Sequence, residues 1–175
     1  MVKGDDLLTI DNKALREAYN LLEAATPLGR VDCGSVCNAV CCTDDCGDSM
    51  ELFPYEKELF EQLEGFEITE GDVPLLKCSG VCERSERPLA CRIYPLFPLV
   101  TDDEDGNETV RVIYDPRATF SCPLCSQKVK LDRRFVRAVR RAGKYLLKDE
   151  AAAAYLRKTS SYLKELIELE IKLKG

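Results

Sequence analysis

The feature that most constrains this chain is a run of cysteines between Cys33 and Cys46. Five of the ten cysteines lie within these fourteen residues, and Cys33, Cys37 and Cys41 recur at every fourth position. On a helical or turn-like backbone, residues four apart are neighbours, so this spacing predicts three thiols on one face. Cys42 and Cys46 repeat the same spacing, displaced by one residue. Thiols this dense predict thiolates gathered around a metal, with further ligands supplied by the rest of the chain.

The composition predicts that these cysteines are reduced. The chain has 175 residues, enough for one domain or for one domain with an appendage. Its first residues lack the apolar run of a secretory signal, and no stretch approaches the ~20 apolar residues of a membrane span. We therefore expect a cytoplasmic protein whose cysteines are metal ligands. A disulfide framework and free buried thiols are the alternatives.

The chain contains no histidine, which limits both its metal sites and its reactions. A zinc site must then use cysteine, with aspartate or glutamate as the other common ligands. Acid–base or nucleophilic catalysis through histidine is excluded. Four thiolates around one zinc leave no open position, so the ligand count favours a structural site over an enzyme, and no residue is a catalytic candidate. A site with only three cysteines would reopen the enzymatic alternative.

The other five cysteines fall into three later groups. Cys78 and Cys82 are again separated by three residues, and Cys122 and Cys125 form a C-x-x-C motif. Cys91 stands alone between two arginines, and the nearby Pro88, Pro95 and Pro98 predict that no regular helix forms around it. The C-x-x-C spacing is common to structural zinc sites and redox motifs. No βαβ pattern surrounds it, so a thioredoxin-like site is not favoured.

The doublet Cys41-Cys42 bears on the number of metal centres. Thiolates select zinc, Fe–S clusters or copper(I), and ten cysteines make at most two complete four-thiolate sites. Adjacent side chains do not easily serve one small tetrahedron. The doublet therefore predicts two neighbouring sites or one larger cluster.

These cysteine groups also carry a resemblance to a known family. The run that ends in Cys41-Cys42, the pair Cys78 and Cys82, and the segment RPLACRIYP from Arg87 to Pro95 resemble the CxxCxxCC family of zinc- or iron-chelating proteins. Bacterial members of that family are often labelled Fe–S-cluster-containing. The segment is similar to the family's RPxxCRxYP signature. The resemblance implies one or two zinc ions, or alternatively an Fe–S cluster.

The resemblance spans about residues 30–125 and implies eight ligands, although this chain departs from the family in spacing. Three residues, not two, separate the first cysteines, so that loop is expected to differ in geometry from other members. Cys46 and Cys125 have no family position and are additional metal candidates. The implied metal ligands are Cys33, Cys37, Cys41, Cys42, Cys78, Cys82, Cys91 and Cys122.

Arg87 and Arg92 flank Cys91 in sequence. Cationic side chains beside a thiolate site lower its net negative charge and can donate hydrogen bonds to sulfur. We therefore expect both arginines to support the metal ligands from outside the coordination shell, with a surface position as the alternative. Tyr94 is interpreted as a core aromatic rather than a catalytic phenol.

The net charge of −6 is unevenly distributed. Residues 128–148 hold nine Lys or Arg and one Asp, a local charge of +8, so the remainder sums to −14. Such a segment is either paired internally with acidic side chains or presents a surface to an anionic partner, nucleic acid or a membrane. The residues concerned are Lys130, Arg133, Arg134, Arg137, Arg140, Arg141 and Lys144.

The expected fold class is α+β. Residues 1–127 are predicted to form a small cysteine-rich metal-binding domain with short helices and one β-hairpin, and residues 128–175 a two-helix tail packed on it or on another copy of the chain. The apolar row of the first tail helix is Leu131, Phe135, Ala138, Ala142 and Leu146, and that of the second is Tyr155, Tyr162, Leu163, Leu166 and Leu169.

Other elements follow from local patterns. Apolar residues at helical spacing predict a helix over residues 11–25, with Asp11 or Asn12 as its cap. A second helix is predicted over 54–63, with Tyr55, Leu59 and Leu63 on its buried face, followed by a loop and short strand over 66–77. Alternation around an Asp-Gly turn predicts a hairpin from 96–100 and 109–114.

Three functions remain open from the sequence. The first is a structural zinc protein of undefined role, the second an Fe–S protein in redox or electron transfer, and the third an anionic-partner binder that uses the basic helix.

Overall fold

The computed structural model describes residues 10–42, 49–78 and 82–174, with only the backbone given for Cys78 and Lys174. The fold is α+β, as the sequence predicts. Within the described residues, the helices are α1 (Lys13–Leu22), α2 (Cys33–Cys37), α3 (Lys57–Phe60), α4 (Leu89–Ile93), α5 (Pro123–Ser126), α6 (Arg133–Leu146) and α7 (Glu150–Lys174). The strands are β1 (Met50–Glu51), β2 (Phe66–Thr69), β3 (Leu75–Cys78), β4 (Leu96–Asp102) and β5 (Glu108–Tyr114).

Helix α1 confirms the first predicted helix but is shorter than the range 11–25. Asn12 caps its start, because the side-chain oxygen accepts a hydrogen bond from the Leu15 amide at 3.0 Å. At its end, the Arg84 guanidinium donates to the Leu22 carbonyl at 2.7 Å and to two carbonyls beyond it. An arginine bound there satisfies the carbonyls that further turns of helix would otherwise pair.

The predicted hairpin is confirmed, and the structure contains a second sheet that was not predicted. Strands β4 and β5 pair antiparallel from Leu96 opposite Tyr114 to Asp102 opposite Glu108. The other sheet has the order β1-β3-β2, with β3 antiparallel to both neighbours. The expectation of a single hairpin was therefore wrong, because strands of two to four residues are too short to show an alternating pattern.

The helix predicted over 54–63 is reduced to the single turn of α3. Tyr55 has a left-handed backbone, with φ of 72°, and its side chain is 44% exposed rather than buried as predicted. A non-glycine residue in that conformation cannot continue a helix. Phe60 is buried in its place, in a small second core with Leu52 and Leu76.

Helix α4 corrects the expectation that prolines exclude a regular helix around Cys91. Pro88 lies at the N-cap, where a missing amide hydrogen costs nothing, and its carbonyl accepts from the Arg92 amide at 3.1 Å. Pro95 follows the helix and does not interrupt it. The three prolines therefore limit α4 to five residues without preventing it.

The two tail helices share the main hydrophobic core with the cysteine-rich part of the chain. Buried residues of α1, α4, β4, α6 and α7 form one cluster, which includes Leu15, Leu89, Phe97, Phe135 and Leu156. The predicted apolar row of α6 is confirmed, since its members are at most 8% exposed: Leu131, Phe135, Ala138, Ala142 and Leu146.

The apolar row predicted for α7 is only partly buried. Tyr155 and Leu163 are buried, whereas Tyr162 is 50% exposed and Leu169 is 53% exposed. The last two turns of α7 are exposed along most of their length. The prediction was wrong for this end of the helix, because the apolar pattern continues beyond the part that packs on the core.

Candidate metal centre

The first four cysteines lie on a short helix and a turn rather than on one continuous helix. Helix α2 carries Cys33 and Cys37, and a 3-10 turn over Val40–Cys42 carries the doublet. Between them, Asn38 and Ala39 both adopt left-handed backbone, with φ of 54° and 50°. These left-handed residues end the helix after Cys37, so a helix followed by a turn carries the three cysteines, and the expectation that their thiols share one face stays a prediction.

Five thiols nevertheless share one neighbourhood, four from this stretch and one from the C-x-x-C motif. The sulfur atoms of Cys41 and Cys42 lie 3.9 Å apart and share a hydrogen bond. The charges of Cys33 and Cys37 act on each other and on Cys41, and Cys122 interacts electrostatically with both Cys33 and Cys37. We refer to these five residues as the five-thiol group.

Burial and repulsion between neighbouring thiols oppose ionisation of Cys33 and Cys122. Desolvation is the largest cause that raises the pKa of Cys33, and repulsion from Asp32 and Cys37 adds to it. Desolvation also raises the pKa of Cys122. In the doublet, the shared hydrogen bond raises the pKa of one thiol, Cys41, and lowers that of its neighbour to about 6. A cation bound among these sulfurs would offset the same repulsion and favour the thiolates.

Cys122 has the surroundings of a ligand sulfur. It lies at the N-cap of α5, and the backbone amides of Leu124 and Cys125 donate toward its thiol and act to lower its pKa. Amide donors of this kind stabilise thiolate charge around metals. Its motif partner Cys125 is half-buried, with a pKa raised to about 11 by burial and by the nearby Cys122.

Arg87 connects the segment of Cys82 to the start of α2. Its guanidinium makes two hydrogen bonds to the Asp32 carboxylate, at 2.8 and 2.9 Å, which hold the pKa of that carboxyl below its usual value. It also donates to Cys82, and its charge acts to lower the pKa values of Cys33 and Cys42. Arg87 therefore interacts with three predicted ligands, while its supporting role at a metal stays a prediction.

Arg92 is buried, and its hydrogen bonds hold the backbone that precedes α4. The guanidinium donates to the carbonyls of Ser85 and Arg87, both at 2.8 Å, and pairs with the Glu23 carboxylate at 2.5 Å. It also lies over the Tyr19 ring, 4.5 Å from the centroid. These contacts give Arg92 a framework function, while its predicted effect on the ligand sulfurs stays a prediction.

Cys91 lies on α4, and a buried carboxylate fixes where that helix begins. Glu56 accepts hydrogen bonds from the amides of Leu89 and Phe53, each at 2.7 Å, and from the Tyr19 hydroxyl. Burial raises the pKa of Glu56 to about 7, and the charge of Cys91 acts on Tyr19. No sequence motif marks Glu56, because its three donors come from separate segments.

The described cysteines are of a chemical type that binds metals. Their side chains do not, however, form a closed metal site. The structure contains no disulfide among the eight cysteines with described side chains, so the disulfide alternative is wrong among them. Over residues 10–42, 49–78 and 82–174, no group of three or more Cys, Asp or Glu side chains is arranged to hold a metal ion. Cys46 and the thiol of Cys78 lie outside the described residues. The available donors are reduced, soft sulfurs, which fit zinc or an Fe–S cluster in ligand type.

A cavity of about 260 Å³ adjoins the five-thiol group at Cys41. Its wall includes Tyr94, whose hydroxyl shares a hydrogen bond with Ser121 at 2.5 Å, and Arg117, which pairs with Asp115 at 2.7 Å. Burial raises the pKa of Tyr94, with a smaller contribution from nearby thiol charge. Tyr94 packs against the main core as predicted and also lines this cavity, a position that its sequence context did not indicate.

Comparison of the chain with protein-family models, with curated proteins and with solved structures finds no match. The family resemblance therefore stays an expectation that rests on the cysteine motifs. Across the part of the chain that the structure describes, every helix is too short or too polar to cross a membrane.

Proposed function

We propose that this protein binds metal through cysteine thiolates and that one or two zinc ions hold its cysteine-rich segments together. One observation carries most of the support: five reduced thiols from two distant parts of the chain interact with one another, and Cys41 and Cys42 are 3.9 Å apart. Free thiols in such proximity repel as anions, so a divalent cation is the ligand that their charge favours.

The five-thiol group would hold the metal, with further ligands among the cysteines that the family resemblance implies. Bound zinc would neutralise the charge of the thiolates and would crosslink α2, the 3-10 turn and the start of α5. Arg87 limits the remaining negative charge and joins Asp32 to the Cys82 segment. A closed thiolate site has no open coordination position, so this function is structural rather than catalytic.

An Fe–S cluster in a redox role is the second candidate for the same residues. The doublet favours it, because adjacent thiols suit a cluster with several iron atoms better than a single tetrahedral ion. The amides that donate toward Cys122 also favour it, because hydrogen bonds to sulfur tune cluster potentials.

Metal content measured on anaerobically purified protein tests both candidates. We expect a colourless sample with at least one zinc per chain by elemental analysis, whereas a brown sample that absorbs near 400 nm, with iron and sulfide, would establish the cluster. Protein that carries neither metal and binds neither on reconstitution would contradict the proposal. C122S is expected to weaken zinc binding at least ~10-fold, and C125S, three residues away, is the matched control.

We also propose a cytoplasmic setting and self-association through the tail. A reducing compartment keeps thiols available to a metal, in agreement with the absence of disulfides among the eight cysteines whose side chains are described. The exposed apolar residues at the end of α7 are the surface on which a second copy would pack.

A further inference from the structure

The basic residues singled out in the sequence form one exposed surface of the folded protein. All seven side chains are exposed: Lys130, Arg133, Arg134, Arg137, Arg140, Arg141 and Lys144. The opposite side of α6 is buried in the main core, so the helix is fixed and presents these side chains outward. We call this surface the basic face.

Its charges are not neutralised from within the described part of the chain. Every ion pair found between described residues involves other side chains, on Lys57, Arg87, Arg92, Arg117 or Arg157. The acidic residue of the segment, Asp132, caps α6 by accepting from its first amides. The expectation that these basic side chains pair with acidic side chains of the same chain is therefore not met among the described residues. The observed arrangement favours an external anion.

The distribution of the basic residues fits an extended phosphate backbone rather than a single small anion. Helix α6 has 14 residues and is therefore about 21 Å long. At its beginning, an open groove of about 440 Å³ is lined by Leu28, Leu131, the capping residue Asp132 and four basic residues, Lys130, Arg133, Arg134 and Arg137. Five of the seven basic residues are arginines, whose planar guanidinium groups bind phosphate oxygens in pairs.

Two other anionic partners fit this surface less well. Insertion into a membrane surface needs an exposed apolar face on the same helix, and the apolar side of α6 is buried in the core. Single-stranded nucleic acid needs exposed aromatic rings for base stacking. On α6, Phe135 is buried, and Tyr145 is half-buried, with the Lys148 ammonium 4.8 Å from its ring centroid.

We propose that the basic face binds the phosphate backbone of double-stranded nucleic acid without reading its base sequence. This function is separate from metal binding and requires no open coordination site. Because the rest of the chain carries −14, the protein as a whole is acidic, and binding depends on this one surface facing the duplex.

Fluorescence anisotropy with the full-length protein as purified tests the proposal. The probes are a 20-base-pair DNA duplex and an RNA duplex of the same sequence, each at 50 and 200 mM salt. If four or five phosphates are neutralised, affinity should fall by about 10²–10³-fold between the two salt concentrations. Binding to either duplex with this salt dependence supports the proposal, and the two duplexes distinguish DNA from RNA.

A triple variant and a charge-matched control locate the binding surface. R137A/R140A/R141A should weaken duplex binding at least ~10-fold and reduce the salt dependence. K158A/K164A/K172A removes the same charge from exposed positions of α7 and should change affinity less than ~3-fold. Zinc content and the circular dichroism spectrum should be unchanged in both variants, which separates this result from failure of the metal site.

Three outcomes would overturn the proposal. They are absence of duplex binding at 50 mM salt, equal losses in the two triple variants, and binding to phosphatidylserine vesicles with no binding to either duplex.

Discussion

At the scale of single residues, the most consequential side chain outside the cysteines is Glu56. It is fully buried and joins α1, the loop after β1 and the start of α4 through Tyr19, Phe53 and Leu89. Desolvation raises its pKa from 4.5 to about 7, against the opposing effect of its three hydrogen bonds. A carboxyl group that titrates near neutral pH therefore lies under the helix that carries Cys91.

Glu56 predicts that stability falls as the pH rises toward neutrality. Its folded-state pKa lies above the unfolded value, so its contribution is complete below about pH 4.5 and is lost as the pH rises through about 7. Between pH 5 and 8, we expect the free energy of unfolding of the wild type to decrease by roughly 1–3 kcal/mol more than that of E56Q, whose amide does not titrate.

Urea denaturation at several pH values, with chelator present throughout, measures this difference. E58Q, at an exposed position two residues away, is the matched control and should follow the wild type. Parallel pH curves for the wild type and E56Q would show that the Glu56 pKa is not raised in the folded protein.

At the scale of elements, long sequence patterns predicted the secondary structure correctly, whereas short ones did not. The row from Leu131 to Leu146 spans four turns and predicted the buried side of α6 correctly. The hairpin was predictable because β4 and β5 each extend for seven residues around an Asp-Gly turn. The sheet of β1, β3 and β2 was not, since strands this short are stabilised by their partners rather than by local pattern.

The candidate site was predictable in its residue types but not in its contacts. Cysteine spacing indicated that Cys33, Cys37 and the doublet belong together, and the structure places them with Cys122. The pair formed by Arg87 and Asp32 joins residues 55 positions apart, so no local pattern could reveal it. The left-handed backbone of Asn38 and Ala39, directly after α2, could likewise not be predicted from the cysteine spacing.

Gly143 provides a test of how α6 packs on the hairpin. A Cβ atom at this position would lie 2.6 Å from the Pro98 Cβ and 3.0 Å from a Val110 methyl. Helix propensity alone predicts that G143A stabilises the protein by about 1 kcal/mol, whereas overpacking predicts a cost of about 1–3 kcal/mol. Because the clash is with a rigid proline ring, we expect net destabilisation by at least ~1 kcal/mol in urea denaturation.

G71A is the control for Gly143, because a Cβ atom there meets only the Val73 carbonyl at an ordinary 3.6 Å. It should change the free energy of unfolding by less than ~0.5 kcal/mol. If G143A proved more stable than the wild type, the close packing of α6 against β4 and β5 would be incorrect.

At the scale of the whole molecule, the basic face and the exposed apolar row lie on different tail helices. The basic face occupies one side of α6, while the acidic excess is spread over the rest of the chain. Helix α7 contributes to the core through its first half and exposes apolar side chains in its second half. The tail helices thus stabilise the fold and also present surfaces that the fold itself does not cover.

The exposed half of α7 predicts self-association. Tyr162, Leu169 and Leu173 are spaced by seven and four residues, as along the common seam of two packed helices, and Leu166 between them is partly buried against the main core. Tyr162 and Leu169 are about half exposed, and Leu173 is 86% exposed. A second copy carries the same row, so pairing of two α7 helices would bury both rows at once.

Sedimentation velocity from about 1 to 100 µM should therefore show a monomer–dimer equilibrium in the wild type. L169A/L173A should shift that equilibrium at least ~10-fold toward monomer, because each substitution removes buried apolar surface worth ~1–2 kcal/mol from each helix of the pair. E168A/K172A alters exposed neighbours on the same turns and should leave the dimer largely intact. A wild type that remains monomeric at 100 µM would contradict pairing through α7, and a dimer equally stable in L169A/L173A would place the interface elsewhere.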